Sequence, residues 1–301
     1  MKVSQLSESD FVRELRQPGL WLRTGPFQTH IRSTIDSLAR AIHLLYGDFT
    51  IAENPEFADF HVRLARPRGL RRWYRPQVFF YFDEEKPFKP LALSQVFAMF
   101  EWCMNWCVSC HANQYLIIHA AIIERLGRAA ILAAPPGSGK STLTAALINR
   151  GWRLLSDELT LIDLAGGMAV PITRPVSLKN ESIAVIRDFV PGAVIGPLSA
   201  DTVKGTVAHL KPPVSSVERT DQAALPAWVI FPKYQPDASV SLTPFPKPNA
   251  LLRLADNSFN YSQLGLRGFE TLSELIDKCD CYEFTYSKLE DAIAVFNSLS
   301  S

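Results

Sequence analysis

Short apolar runs and one-sided helical patterns alternate along almost the whole chain. LWLRTGPFQTHIRSTI (20–35) reads as strands broken near Gly25 and Pro26, and DSLARAIHLLYG (36–47) as a helix with Leu38, Ile42 and Leu45 inward and Gly47 at its end. FADFHVRL and QVFFYFDEE follow as strands, and a second helix starting near Ser94 carries Val96, Phe97, Phe100 and the first three cysteines. YLIIHAAIIERLGRAAILAA (115–134) predicts two strands joined by a tight turn near Gly127. STLTAALINR then reads as a helix stopped by Gly151, WRLLS as a short buried strand, and LTLIDLAGGMAVPI as a hairpin turning at Gly166 and Gly167. In TRPVSLKNESIAVIRDFVP, Arg174 and Lys179 flank a predicted turn and Asn180 starts a short helix. LPAWVIFPKY and ASVSLTPF predict strands, NALLRLADN and GFETLSELIDKC helices. The last piece, CYEFTYSKLEDAIAVFNSLSS, predicts a strand and a helix capped by a box from Ser287 to Glu290. No repeat, coiled coil or low-complexity tract interrupts the series. The expected class is α/β, with a small α/β domain over 1–112 and a second domain over 113–301.

Composition adds limits. At 301 residues, 47% hydrophobic and 20% charged, the chain can bury a full core. Its 31 basic and 30 acidic residues leave a net charge of +1, so no overall field favours nucleic acid or an anionic membrane. The polar N-terminal stretch shows no signal peptide, and VFAMFEWCMNWCVSC, broken by Glu101 and Asn105, is too short to span a bilayer; the expected location is cytoplasmic. Five cysteines make an odd count that disfavours a disulfide framework. Cys107, Cys110 and His111 spell C-x-x-C-H, but Cys103, Cys107 and Cys110 share the i, i+4, i+7 spacing of one helix face, which predicts small buried helix residues rather than a haem attachment site. RLARPRGLRRWYRP sets Arg63, Arg66, Arg68, Arg71, Arg72 and Arg75 beside Trp73 and Tyr74; it reads as a solvated hairpin loop or as a docking patch for an acidic peptide.

The chemistry concentrates in ILAAPPGSGKSTLTAALINRGWRLLSDE (131–158). Ala134, Pro135, Pro136, Gly137, Ser138, Gly139, Lys140 and Ser141 fit the Walker A pattern except for alanine at its first position, and Thr142 continues it into the helix. The glycines can turn successive N–H groups inward as an anion nest, Lys140 can reach the β and γ phosphates of ATP, and Ser141 can place its hydroxyl on Mg²⁺. Asp157 and Glu158 follow Lys140 by only 17 and 18 positions at the end of a neighbouring strand, which returns two carboxylates to the phosphates. One carboxylate can hold the metal while the other accepts the proton of an attacking hydroxyl. A cation beside the transferring group would stabilise its charge, which makes Arg174 and Lys179 candidates, and Lys204 and His209 lie on a further Gly/Pro-bounded segment.

The succession of IIHAAII, PPGSGKST, NRGWRLL and SDE resembles the HPr kinase/phosphorylases, and RPVSLKNES, KGTVAHLKPP and NSFNYSQLG are similar to their HprK-related kinase A subgroup. The resemblance implies a P-loop mixed-sheet kinase domain of the HPr kinase C-terminal/PEP carboxykinase-like type. It gives Asp157 as catalytic base and Glu158 as the second acidic position, a Mg²⁺ ligand with Ser141. His119 matches the histidine that precedes the loop in that superfamily, although a buried histidine donating to a backbone carbonyl fits the residues too. ATP and Mg²⁺ are the implied cofactors, with a serine or threonine hydroxyl of a small protein or peptide as acceptor. Homo-oligomerisation is implied by the hexamers of HPr kinases. Ala134 and the lack of an E-x-R-G-x-G signature depart from the true HPr kinases and point away from HPr itself as acceptor. A nucleotide-dependent switch or ATPase, and a small-molecule kinase, are the other classes open to these residues.

Overall fold

The computed structural model describes residues 1–52 and 57–300. In the first part, α1 (Glu8–Arg16) leads to β1 (Leu20–Thr24), β2 (Phe27–Ser33), α2 (Asp36–Leu45), β3 (Phe60–Ala65), β4 (Gln77–Phe82), β5 (Leu91–Ala92) and α3 (Val96–His111). The five strands form one sheet in chain order. Only β2 and β3 run parallel, and α2 lies in the crossover between them. Alternate residues point inward, Leu20 and Leu22 on β1, Phe60, Val62 and Leu64 on β3, and meet Leu38, Ile42 and Leu45 of α2 and Phe100, Cys103 and Cys107 of α3.

The chain continues through β6 (Tyr115–Ile118), β7 (Ala121–Arg125), β8 (Arg128–Leu132), α4 (Lys140–Ile148), β9 (Arg153–Ser156), β10 (Thr160–Asp163), β11 (Ala169–Val170), β12 (Val176–Lys179) and α5 (Glu181–Phe189). Next come β13 (Ser199–Thr202), β14 (Gly205–Leu210), α6 (Val214–Glu218), β15 (Leu225–Tyr234), β16 (Ser241–Pro244), α7 (Lys247–Asp256), α8 (Tyr261–Leu264), α9 (Leu266–Lys278), β17 (Asp280–Tyr286) and α10 (Leu289–Leu299). A six-stranded mixed sheet, β16-β17-β15-β8-β7-β9, is its centre; β17, β15 and β8 are parallel. The alternation of buried residues assigns its two faces. Ala130, Leu132, Trp228 and Ile230 pack under α4, α5 and α10, whereas Ala129, Ile131, Val229 and Phe231 pack under α7 and α9.

A small antiparallel sheet, β11-β10-β6, joins the two parts. Leu116, Ile118 and Ile162 face the central sheet, while Ile117 and Leu161 enter the core of α2 and α3. The packing is thus continuous across residue 112, and α3 is pressed against the second part. A fourth sheet, β12-β14-β13, packs through β12 against α4 and α5.

Three expectations change. YLIIHAAIIERLGRAAILAA forms three strands, because β6 leaves the central sheet to pair with β10 while β7 and β8 make the hairpin at Gly127. The segment between Arg174 and Lys179 is strand β12 rather than a turn: Val176 and Leu178 bury alternately and pair with β14. The box at Ser287 does not form, since the Ser287 hydroxyl donates to the Ala238 carbonyl and Lys288 is the residue before the helix. Among the described residues no helix is long and apolar enough to cross a membrane.

Candidate active site

β8, β15 and β17 end side by side, and the loop 134–141 leaves β8 at that edge, the usual place for ligands in open α/β sheets. Its course is tied down from the neighbours: Tyr234 N–H at the end of β15 donates to Ser138 O (2.8 Å), and the Tyr286 hydroxyl at the end of β17 donates to Gly139 O (3.0 Å). Gly137 and Gly139 both adopt φ of +86°. At Gly139 a Cβ would also meet the Tyr286 hydroxyl at 2.5 Å and Tyr234 Cβ at 2.8 Å, so conformation and space both require glycine there. Ala134 is buried and lacks the positive φ that would demand glycine, which explains its tolerance at the first position of the pattern. Pro135, Pro136 and Gly137 are exposed, and the buried Ser138 Oγ has no hydrogen-bond partner.

Lys140 is the first residue of α4, preceded by Gly139 in the left-handed conformation. The first N–H groups of that helix, through Ser141 and Thr142, have no intrahelical acceptors and carry the positive end of its dipole. Lys140 is half-buried, not the free loop cation that its position in the pattern implies, and donates from Nζ to the Asp157 carbonyl at 2.7 Å. One ammonium has three protons, so two more bonds can be made from it. Burial pulls its pKa down, against the opposing effect of Asp157 and Glu158.

Asp157 closes this arrangement from β9. It is 6% exposed; its Oδ2 accepts from Ser177 N (3.0 Å) and Ser141 Oγ (3.4 Å), and its Oδ1 is buried with no partner. Burial raises its pKa, with Lys140 and Lys179 pulling the other way. Glu158 behaves oppositely. Burial alone would raise it, but Lys179, Lys140, Lys204 and His119 together hold it at about 2. Its Oε1 lies 3.5 Å from Lys179 Nζ and its Oε2 accepts from Asn105 Nδ2 at 2.6 Å. The structure therefore pairs Ser141 with Asp157, and Glu158 with Asn105 and Lys179.

The sequence reading missed what lies behind Glu158. Asn105 of α3 accepts through Oδ1 from Arg174 Nη2, and the Arg174 guanidinium lies 3.7 Å from Glu101 Oε2 and donates to Glu101 O at 3.4 Å. Glu101 also accepts from the Tyr46 hydroxyl at 2.6 Å. Arg174 is buried in this network and steadies Glu158 through Asn105. The available signal was that Glu101 and Asn105 stand four apart, on one face of an otherwise apolar helix.

His119 follows β6 half-buried, its backbone N–H donating to Asn257 O (2.7 Å) and its ring 5.6 Å from Phe259; burial and Lys140 lower its pKa. His209 on β14 is buried edge-on against Phe97, and burial lowers its pKa to about 3, so the ring is uncharged. Lys204 is exposed on the β13–β14 turn. The cysteine expectation holds for Cys103 and Cys107, which are buried, but Cys110 is exposed near the end of α3, where the helix faces solvent. The arginine segment caps the β3–β4 hairpin, with Trp73 and Tyr74 exposed.

Residues 87–170 match the family model described as ScmC: SynChlorMet cassette protein ScmC. The matched span holds α3, the loop, Lys140 and the Asp157–Glu158 pair, and it ends before Arg174 and Lys179. No curated protein matches the chain.

Proposed function

We propose that the chain transfers the terminal phosphoryl group of ATP to a serine or threonine hydroxyl of a protein or peptide, on a P-loop kinase domain of the HPr kinase C-terminal/PEP carboxykinase-like type. The observation that carries this is the junction of Lys140, Ser141 and Asp157. The first turn of α4 and the end of β9 are hydrogen-bonded to each other, so a cation, a hydroxyl and a carboxylate with an unpartnered oxygen meet beside a glycine loop. Two orphaned polar atoms, Ser138 Oγ and Asp157 Oδ1, fit a site completed by a bound polyphosphate and its metal.

In this assignment the loop amides and Lys140 bind the β and γ phosphates, and Asp157 Oδ1 orients the acceptor hydroxyl. The acceptor oxygen forms its bond to the γ phosphorus as the bond to the β–γ bridging oxygen breaks. The hydroxyl proton passes to Asp157, and ADP leaves. The raised pKa of Asp157 suits a proton acceptor, while Glu158, fixed as a carboxylate by Lys179 and Asn105, suits a permanent negative charge opposite a cation. Ser141 and Glu158 would hold Mg²⁺, which would neutralise charge on the phosphate oxygens. Arg174 serves by positioning Asn105, and Lys179 by positioning Glu158. The test is incubation with γ-labelled ATP and cell extract, reading protein, small molecules and free phosphate separately. Label on protein, lost in Asp157→Asn, is expected; label appearing only as free phosphate would instead describe an ATPase.

A further inference from the structure

A cavity of about 370 Å³ opens beside the acidic pair. Asp157, Glu158 and Ser177 line it, but none of residues 134–142 does. The acidic pair therefore stands between two spaces, the glycine loop on one side and this cavity on the other. An in-line displacement needs the attacking and leaving oxygens on opposite sides of the transferred phosphorus, with the proton acceptor beside the attacking hydroxyl.

The walls say what would fit. Met99 and Trp102 of α3 form one side; Val203 and Val207 of the β13–β14 hairpin form the other. Trp102 is 46% exposed and Val203 fully so, which places apolar surface at the mouth as well as inside. The cations of the floor are answered within the protein, Lys179 by Glu158 and Arg174 by Glu101, and His209 is uncharged. Lys204 is the cation of the exposed rim. A negatively charged acceptor group would lose its hydration in this space without gaining a counter-charge at the floor, whereas an apolar group gains by burial. The volume lies at the low end of small-ligand pockets, roughly 300–1,000 Å³, enough for one large side chain and its neighbour.

We infer that this cavity is the acceptor subsite, and that it takes a hydroxyl carried next to a large uncharged apolar group, as in a serine followed by an aromatic or branched aliphatic residue. The hydroxyl's fate rests on the phosphotransfer reading; the apolar selectivity can be measured apart from it.

The experiment titrates the full chain calorimetrically, without nucleotide, with three blocked dipeptides: acetyl-seryl-tryptophan amide, acetyl-seryl-glycine amide and acetyl-seryl-aspartate amide. The tryptophan compound should bind at least tenfold tighter than the other two. Ala98→Trp, which fills the cavity from α3, should remove that advantage, and Trp102→Ala, which removes one wall at the mouth, should reduce it several-fold. Melting curves check that each variant is folded. Equal affinities, tightest binding of the aspartate compound, no binding of any, or a preference unchanged in both folded variants would overturn the inference. The same three compounds are then offered with γ-labelled ATP. Selective binding without label transfer would uphold the cavity's selectivity and sink the transfer reading. Label transfer to all three at one rate would uphold transfer and sink the selectivity.

Discussion

The loop side and the α3 side of the acidic pair are built differently. Around Asp157 and the loop, bonding capacity is left open: Asp157 Oδ1 and Ser138 Oγ lack partners, and the pKa of Lys140 is lowered by burial. Toward α3, the polar atoms are matched, as Glu158, Asn105, Arg174, Glu101 and Tyr46 form an unbroken chain into the core of the first part. Buried polar groups are normally satisfied, so under the proposed function the open side is the one that substrates would complete, while the matched chain of groups holds the acidic pair in shape. Two adjacent carboxylates consequently move in opposite directions, Asp157 upward and Glu158 down to about 2. Environments that push paired carboxylates apart divide their roles.

The largest way to break this contrast is to disable the open side. Asp157→Asn should lower phosphoryl transfer by about 10²- to 10⁴-fold, the span of general acid–base catalysis, while Mg²⁺-dependent ATP binding stays within a few-fold. Quantified label transfer checks it, and wild-type turnover would move the base elsewhere, with His119 next. On the closed side, Glu158→Gln should weaken the Mg²⁺-dependent part of ATP affinity by about tenfold, or ~1.4 kcal/mol. Calorimetry with and without Mg²⁺ measures it. If Asp157→Asn has the larger effect there, the metal follows the Ser141–Asp157 contact and the two carboxylates exchange roles.

A smaller effect sharpens the contrast through pH. The Glu101 carboxyl is pushed up to about 7 by burial, against the pull of Arg174 and the Tyr46 hydrogen bond. Folding therefore takes up a proton at this group, and the stability it adds is fully present below its ordinary 4.5 and lost as pH rises through about 7. Urea midpoints at pH 5 and pH 8 should differ less in Glu101→Gln than in the natural chain; an unchanged difference would remove Glu101 from the buried chain's titration. Least of all, Arg71, Arg72 and Arg75 changed together to Gln should alter stability by less than about 0.5 kcal/mol, because all three are exposed at the hairpin tip. Their loss should lower acceptor phosphorylation more than ATP hydrolysis if an acidic partner docks there.

Local pattern was enough for most elements. The continuous apolar runs of RAAIL and AWVIF, the Gly137–Gly139 loop and the short path from Lys140 to Asp157 each depend on residues near one another in sequence. What the sequence hid depends on contacts across the chain. Glu101 and Asn105 read as interruptions of an apolar run, yet α3 delivers them to Arg174 and Glu158, more than fifty positions away. The turn expected between Arg174 and Lys179 is overridden by pairing with β14, which makes that segment a strand, whereas Asn180 does precede the helix expected of it. Ser287 had the spacing of a cap, and a carbonyl from a distant turn takes its hydroxyl.

The most direct test of the nucleotide assignment is an ATP titration of the natural chain and of Lys140→Ala in the presence of Mg²⁺, beside their melting curves. Loss of the Lys140–Asp157 hydrogen bond should cost about 1 kcal/mol of stability and leave the fold intact. The account requires one ATP per chain for the natural protein and at least tenfold weaker binding for the variant. Equal affinity of the two folded proteins, or no binding by the natural one, would contradict it.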